Sequence, residues 1–312
     1  MASAEAVLAV IDAAGAHVPE LMDRLEARLL ELASEHGEVL AGHARSTIAA
    51  GGKRLRPLLV LLAAGPPADA AAVEQLLRAA VAVELVHSAT LVHDDVLDAA
   101  RLRRGHPTVF AEGGRLMATA TGDLLFAQAF AELARNGSAE QIRVLSDASS
   151  ALARGELLQR EDAWNTAVTR ERYLERCELK TARLFEAACR LGNDALGPFG
   201  RRIGLAFQLL DDVLDVSGPS ERIGKHRGTD LLDGTVTLPL IVSGLDADLR
   251  AVQTPAQAEE LCDRIAATGA LDTVRAEALE MVAAAKAELP ALPEGQQGAL
   301  ELVADGVVDR FA

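Results

Sequence analysis

The chain has 312 residues, half of them hydrophobic and only 3% aromatic, with 31 Lys and Arg set against 46 Asp and Glu. The resulting net charge of −15 excludes non-specific nucleic-acid binding and requires that an anionic substrate be met by local cations or metal. Cys177, Cys189 and Cys262 are odd in number and form no CxxC pair, which excludes a disulfide framework or zinc site and fits a reducing cytoplasm.

In chain order, Met1 to Gly15 is acidic and carries no basic leader, and no run of 18 or more apolar residues follows anywhere, so no transmembrane segment is expected. Gly51-Gly52-Lys53-Arg54-Leu55-Arg56-Pro57 places three cations in a glycine-initiated turn that opens an apolar helix over Leu58–Ala64. Breaks are predicted at Gly65–Pro67, Arg101–Pro107, Asn136–Ser138, Gly197–Pro198 and Ser217–Gly234. The segments between them often run roughly 20 to 30 residues, and strand signals are nearly absent. From Asp246 onward the chain is helical and Ala/Glu-rich, with breaks near Gly269 and Pro290–Pro293. Together these features predict an all-α fold: one domain over residues 1–312, a bundle of long helices around a deep central cavity.

Two copies of Asp-Asp-Val-Leu-Asp, Asp94–Asp98 and Asp211–Asp215, interrupt apolar runs that otherwise read as buried helix. A helix puts the first and last aspartates of each copy on one face, with Asp95 or Asp212 beside them, while Leu91, Val92, Val96 and Leu97 and Leu209, Leu210, Val213 and Leu214 imply packing. Unpaired carboxylates are costly there, and the arrangement becomes favourable when two such faces share divalent cations; hard oxygen donors suit magnesium, which usually bridges substrate phosphates. One copy alone reads equally well as a solvated acidic face, but the duplication, and the polar residues His87, His93 and Gln208 on the approaches, favour metal. Lys53, Arg54, Arg56, Arg103 and Arg104 supply the cations for an anion, the arginines as forks for diphosphate oxygens. The Gly-rich segment Ile223–Leu238, with Lys225 and Arg227, reads as a mobile lid, since structureless loops of that length are uncommon in compact domains. Glu84 and His87 also fit the Glu-x-x-His pattern of di-iron bundles, but no second such pair is present.

From about Gly51 to Pro239 these motifs, in order, resemble the trans-type (all-E) isoprenyl diphosphate synthases, the polyprenyl synthetase family. The resemblance implies a homodimer that condenses isopentenyl diphosphate head-to-tail onto an allylic diphosphate (dimethylallyl, geranyl, farnesyl or geranylgeranyl), with about three magnesium ions per active site. Residue by residue, Asp94, Asp95 and Asp98 match the first aspartate-rich motif and Asp211, Asp212 and Asp215 the second. Gly52, Lys53, Arg56, His87 and Arg104 match the isopentenyl diphosphate pocket; Arg103, Lys180 and Lys225 match contacts to the allylic diphosphate; Thr181 and Gln208 match polar groups facing the developing carbocation. Thr235 stands where the family often has a second lid lysine, so one cation is missing from the closed site.

The family reads product length five places upstream of the first aspartate, here Ala89 beside Ser88, with Ala82 and Ala79 further back. All are small, and a helical turn rises about as far as one isoprene unit, so each turn of small side chains allows roughly one more condensation; the resemblance then implies a product of about six to nine units (C30–C45), a short C15–C20 product being the alternative. A class I terpene cyclase would share the first aspartate motif without needing Gly51–Pro57, and a non-catalytic subunit would be expected to have lost aspartates.

Overall fold

A computed structural model describes residues 9–10, 13–35, 37–103, 105–218 and 226–309. The helices that frame the site are α1 (His17–Leu32), α2 (Glu38–Ala49), α3 (Leu55–Ala64), α4 (Ala70–Leu97), α5 (Val109–Ala134) and α6 (Ala139–Glu161), followed by α7 (Arg170–Cys177), α8 (Arg183–Gly192) and α9 (Gly197–Ser217). The short α10 (Thr229–Leu232) and α11 (Leu238–Ser243) precede an outer layer of α12 (Pro255–Ala266), α13 (Ala270–Ala287) and α14 (Glu294–Asp309). The all-α expectation holds, and the predicted tail breaks fall where expected. Among the described residues the only strands are Leu102–Arg103 and His106–Pro107, a minimal antiparallel pair.

Helix α4 is the axis of the bundle. Asp69 caps it by accepting the Ala72 N–H at 2.8 Å, and from Leu76 to Val92 nearly every side chain is buried because α1, α3 and α5 pack around it. By length and composition α4 could span a membrane, but 72% of its most apolar window is buried inside the protein, as for a core helix. Helix α9 is the second axis, packed against α8 and α13. The break expected at Gly197–Pro198 falls slightly earlier, at Asn193, and Pro198 instead occupies the first turn of α9, where its missing N–H costs nothing. Leu97, expected to be packed, is 51% exposed because α4 ends there.

Between α7 and α8 the helix widens into a single π-helical turn, Glu178–Ala182, that carries Lys180 and Thr181. Such bulges are rare and gather at functional sites. Two glycines let neighbouring helices grip it. A Cβ on Gly155 of α6 would lie 2.5 Å from the Lys180 backbone nitrogen, and one on Gly204 of α9 would lie 2.7 Å from the Ala182 Cα.

Candidate active site

The first pentapeptide closes α4. Ala99 adopts φ +50°, and the Ala100 N–H returns to the Asp95 carbonyl at 2.9 Å, the reversal of a Schellman ending without its usual glycine. That reversal launches the small hairpin, which brings Arg103 back onto the helix it has just left. Arg103 Nε and Nη2 both donate to Asp95 Oδ1 at 2.9 Å. Asp95 is thereby buried and paired, Asp94 half-buried, and Asp98 exposed at the helix end, bonded by Arg160 of α6. Burial, together with the charges of Glu156 and Asp98, raises the Asp94 carboxyl to about 6 despite the opposing Lys180 and Arg103.

In the second pentapeptide Asp212 is buried and bonded at both oxygens. Tyr173 Oη donates to Oδ2 at 2.6 Å, and Gln208 Nε2 donates to Oδ1 at 2.8 Å. Gln208 Oε1 in turn accepts from Thr181 Oγ1 at 2.7 Å. Burial and the nearby Asp230 push the Asp212 carboxyl up to about 8, against the pull of those two donors. Asp215 ties down the segment that follows α9: its carbonyl accepts the Gly228 N–H at 2.9 Å, and its Oδ2 accepts the Asp230 N–H at 3.2 Å. The π-turn therefore links the clusters, Lys180 acting electrostatically on Asp94 while its neighbour Thr181 joins the bonded series to Asp212.

The glycine turn separates its three cations. Arg54, at φ +46°, points inward, where Nε and Nη2 fork onto Glu26 at 2.6 and 3.1 Å, Nη1 meets the buried Glu84 at 2.7 Å, and Nη2 meets the Ile48 carbonyl at 2.9 Å. The expectation of three cations for an anion is thus corrected: Arg54 ties the turn to α1, α2 and α4. Gly52 and Lys53 are exposed, while Arg56 lies over the Phe185 ring with Nη1 3.3 Å from His87 Nε2. Burial lowers the Arg56 guanidinium to about 10, opposed by Glu84. His87 and Ser88 of α4 line one cleft with Gly51, Asp95 and Arg103, walled on the other side by Ser46 and Thr47 of α2. Ala89, by contrast, is fully buried in the core, as are Ala79 and Ala82. His93 turns away from the site to stack on Phe126 of α5. Arg104 and Lys225 lie outside the described residues.

The family model described as Polyprenyl synthetase matches residues 37–282. The chain belongs to the polyprenyl synthetase family. It is an isoprenyl diphosphate synthase, a transferase of prenyl groups. It is 41% identical over 228 residues to a heptaprenyl diphosphate synthase component 2 of Geobacillus stearothermophilus, covering 70% of each chain. It is 36% identical over 295 residues to a geranylgeranyl diphosphate synthase of Methanosarcina mazei, covering 88% of this chain and 90% of that one. A crystal structure of a polyprenyl synthase from Caulobacter crescentus, complexed with calcium and isoprenyl diphosphate, superposes with a TM-score of 0.87 at 34% identity over 96% of this chain and 98% of that one.

Within this isoprenyl diphosphate synthase, sequence reasoning missed Glu156, Gln159 and Arg160 at the end of α6, Tyr173 under Asp212, and Asp230 in α10. Tyr173 is the chain's single tyrosine and is fully buried. A lone hydroxyl in a low-aromatic chain is a weak signal, and nothing in the local pattern ties it to Asp212, 39 positions away.

Proposed function

We propose that this synthase condenses isopentenyl diphosphate 1′-4 onto an allylic diphosphate by a magnesium-dependent ionisation, condensation and elimination, and releases an all-trans polyprenyl diphosphate of about C30–C45. The observation that carries the reading is the pair of acidic clusters joined through Lys180 and Thr181, with Arg103 on one side. Magnesium is compatible with the donor set, which is all carboxylate oxygen. Among the described residues no three acidic, His or Cys side chains converge closely enough to cage an ion alone, which suits a metal that takes one or two carboxylates and completes its shell with phosphate oxygens and water. Asp94, Asp98 and Asp211 would hold it, and when bound it would neutralise charge growing on the departing diphosphate.

The chain's own residues supply the rest. Arg103 and Lys180 orient the allylic diphosphate and stabilise the leaving anion; Arg56, His87 and Lys53 hold isopentenyl diphosphate beside it. The Thr181 and Gln208 oxygens face the carbon that becomes electron-poor, and no protein nucleophile is required. The proton lost after condensation passes to the released pyrophosphate. Closure of the lid over Asp230 excludes the water that would quench the cation.

Length is read from α4, on which Ala79, Ala82 and Ala89 are all small and fully buried. The C15–C20 reading is favoured by the relative named a geranylgeranyl diphosphate synthase. A cytoplasmic homodimer completes the proposal, supported by buried thiols at all three cysteines and by exposed Leu116 on α5 and Leu157 on α6 as apolar surface for a second copy. The test is incubation with MgCl2, isopentenyl diphosphate and each allylic primer, followed by sizing of the products. Chain growth to C30–C45 is expected. Pyrophosphate release without growth would instead indicate a cyclase, and no turnover with any primer a silent subunit.

A further inference from the structure

Four side chains at the mouth of the site form an unbroken series of ion pairs with alternating charge. Asp98 accepts from Arg160 Nη2. Arg160 Nε donates to Glu156 Oε1, one turn back on α6, at 2.8 Å. Glu156 in turn holds Lys180 Nζ, which also reaches Gln159 Oε1 at 3.2 Å. The outer members, Asp98 and Lys180, are assigned above to magnesium and to the allylic diphosphate; the inner members, Glu156 and Arg160, come from one helical turn and have no part in that assignment.

Each outer group is thus already paired with the charge its ligand would bring: Asp98 with a cation, Lys180 with an anion. When the outer groups turn to their ligands, the inner two are left facing each other in a pair that already exists, so no charge is stranded. That matters most for Glu156, whose side chain is only 13% exposed, since an unpartnered carboxylate at that depth is costly. Arg160, 41% exposed, keeps Glu156 through Nε when Nη2 gives up Asp98.

We infer, resting on the function proposed above, that Arg160 is a placeholder for magnesium at Asp98 and Glu156 a placeholder for diphosphate at Lys180, so that Arg160 sets how much magnesium the site demands. Arg160 also lies in the last turn of α6, where a cation stabilises the helix end whatever its partner. A helix-end role alone would change stability and leave magnesium demand untouched.

The test is a thermal-midpoint titration with MgCl2 at fixed, saturating inorganic pyrophosphate, on the wild type, Arg160→Gln and Arg160→Lys. For Arg160→Gln the half-saturating magnesium concentration should fall about 3- to 5-fold, the worth of a half-exposed ion pair, while Arg160→Lys stays near wild type. Glu156→Gln, titrated with pyrophosphate at fixed MgCl2, should show a comparable fall in half-saturating pyrophosphate, and so tests the scheme even where Arg160→Gln folds poorly. An unchanged or raised magnesium requirement in Arg160→Gln overturns the inference, a rise meaning that Arg160 helps to hold the ligand. If the wild type itself showed no magnesium-dependent rise, the metal reading would fail, and this inference with it.

Discussion

Gly155→Ala offers a sharp separation of stability from catalysis. In an ordinary helix interior this change stabilises by about 1 kcal/mol, because alanine is the better helix former. Here the new Cβ would sit 2.5 Å from the Lys180 nitrogen and 2.8 Å from its Cα, both backbone atoms that cannot rotate away. Restoring ordinary contact requires about 0.9 Å of movement between α6 and the π-turn. Such overpacking costs about 1–3 kcal/mol, so the helix gain offsets part of it and the net loss should be about 0–2 kcal/mol. Catalysis has no such offset. Lys180 and Thr181 ride on the displaced turn, and a misplacement of about 1 Å costs on the order of 100-fold in rate. Denaturant unfolding and steady-state kinetics on one preparation would show a small shift in midpoint beside a large loss of kcat/KM. A Gly155→Ala enzyme with a higher midpoint and wild-type kcat would refute the claim that this close approach places Lys180 and Thr181 for the proposed reaction.

Glu84→Gln should destabilise by about 2–3 kcal/mol in urea unfolding, since it leaves Arg54 buried with only the half-exposed Glu26 as a charge partner, and should raise KM for isopentenyl diphosphate more than for the allylic substrate through Arg56; an unmoved midpoint would contradict this. Ala89→Phe should shorten the product, with the thermal midpoint measured alongside because the site is fully buried; an unchanged product distribution in a folded protein would remove α4 as the ruler. For pH, the Asp94 and Asp212 carboxyls lie at about 6 and about 8 in the folded chain against an unfolded 3.8, so the folded state retains protons that the unfolded state has lost. Stability of the metal-free protein should therefore fall as pH rises from about 4 through 6 to 8, the reverse of a chain whose carboxylates are depressed by salt bridges, and a midpoint flat or rising across that window would show that these groups are not buried as described.

Much of the site was legible because its chemistry contradicts its surroundings. Aspartates recurring in a run such as Leu91–Asp98 have no place in a core helix without a partner, and a cationic turn stands out in an acidic chain. What remained hidden depends on distance in sequence. Arg54 and Arg56 are indistinguishable as letters, and only the left-handed backbone at Arg54, with Glu26 and Glu84 drawn from other helices, sends one inward and leaves the other beside His87. His93 looked like part of the approach to Asp94, but it stacks on Phe126 in the space opened by Gly122, 29 positions later, where any Cβ would collide with the imidazole. The π-turn has no sequence signature because it is set by what packs against it, Gly155 on one side and Gly204 on the other.

The carboxylates around the site have a role in the same geometry. A diphosphate site needs several cations within a few ångströms, and left alone they would repel one another and resist burial. Here Arg103 is held by Asp95 and Lys180 by Glu156, and Arg160 beside them by Asp98. These cations are thus paired before any substrate arrives. Magnesium alone would add positive charge where Arg160 already sits, and diphosphate alone would add negative charge beside Glu156. A magnesium diphosphate brings both at once and exchanges with both internal pairs, so the two halves of the ligand lower each other's cost of entry. On this reasoning the paired carboxylates are what would keep the cations in position until metal and diphosphate come together.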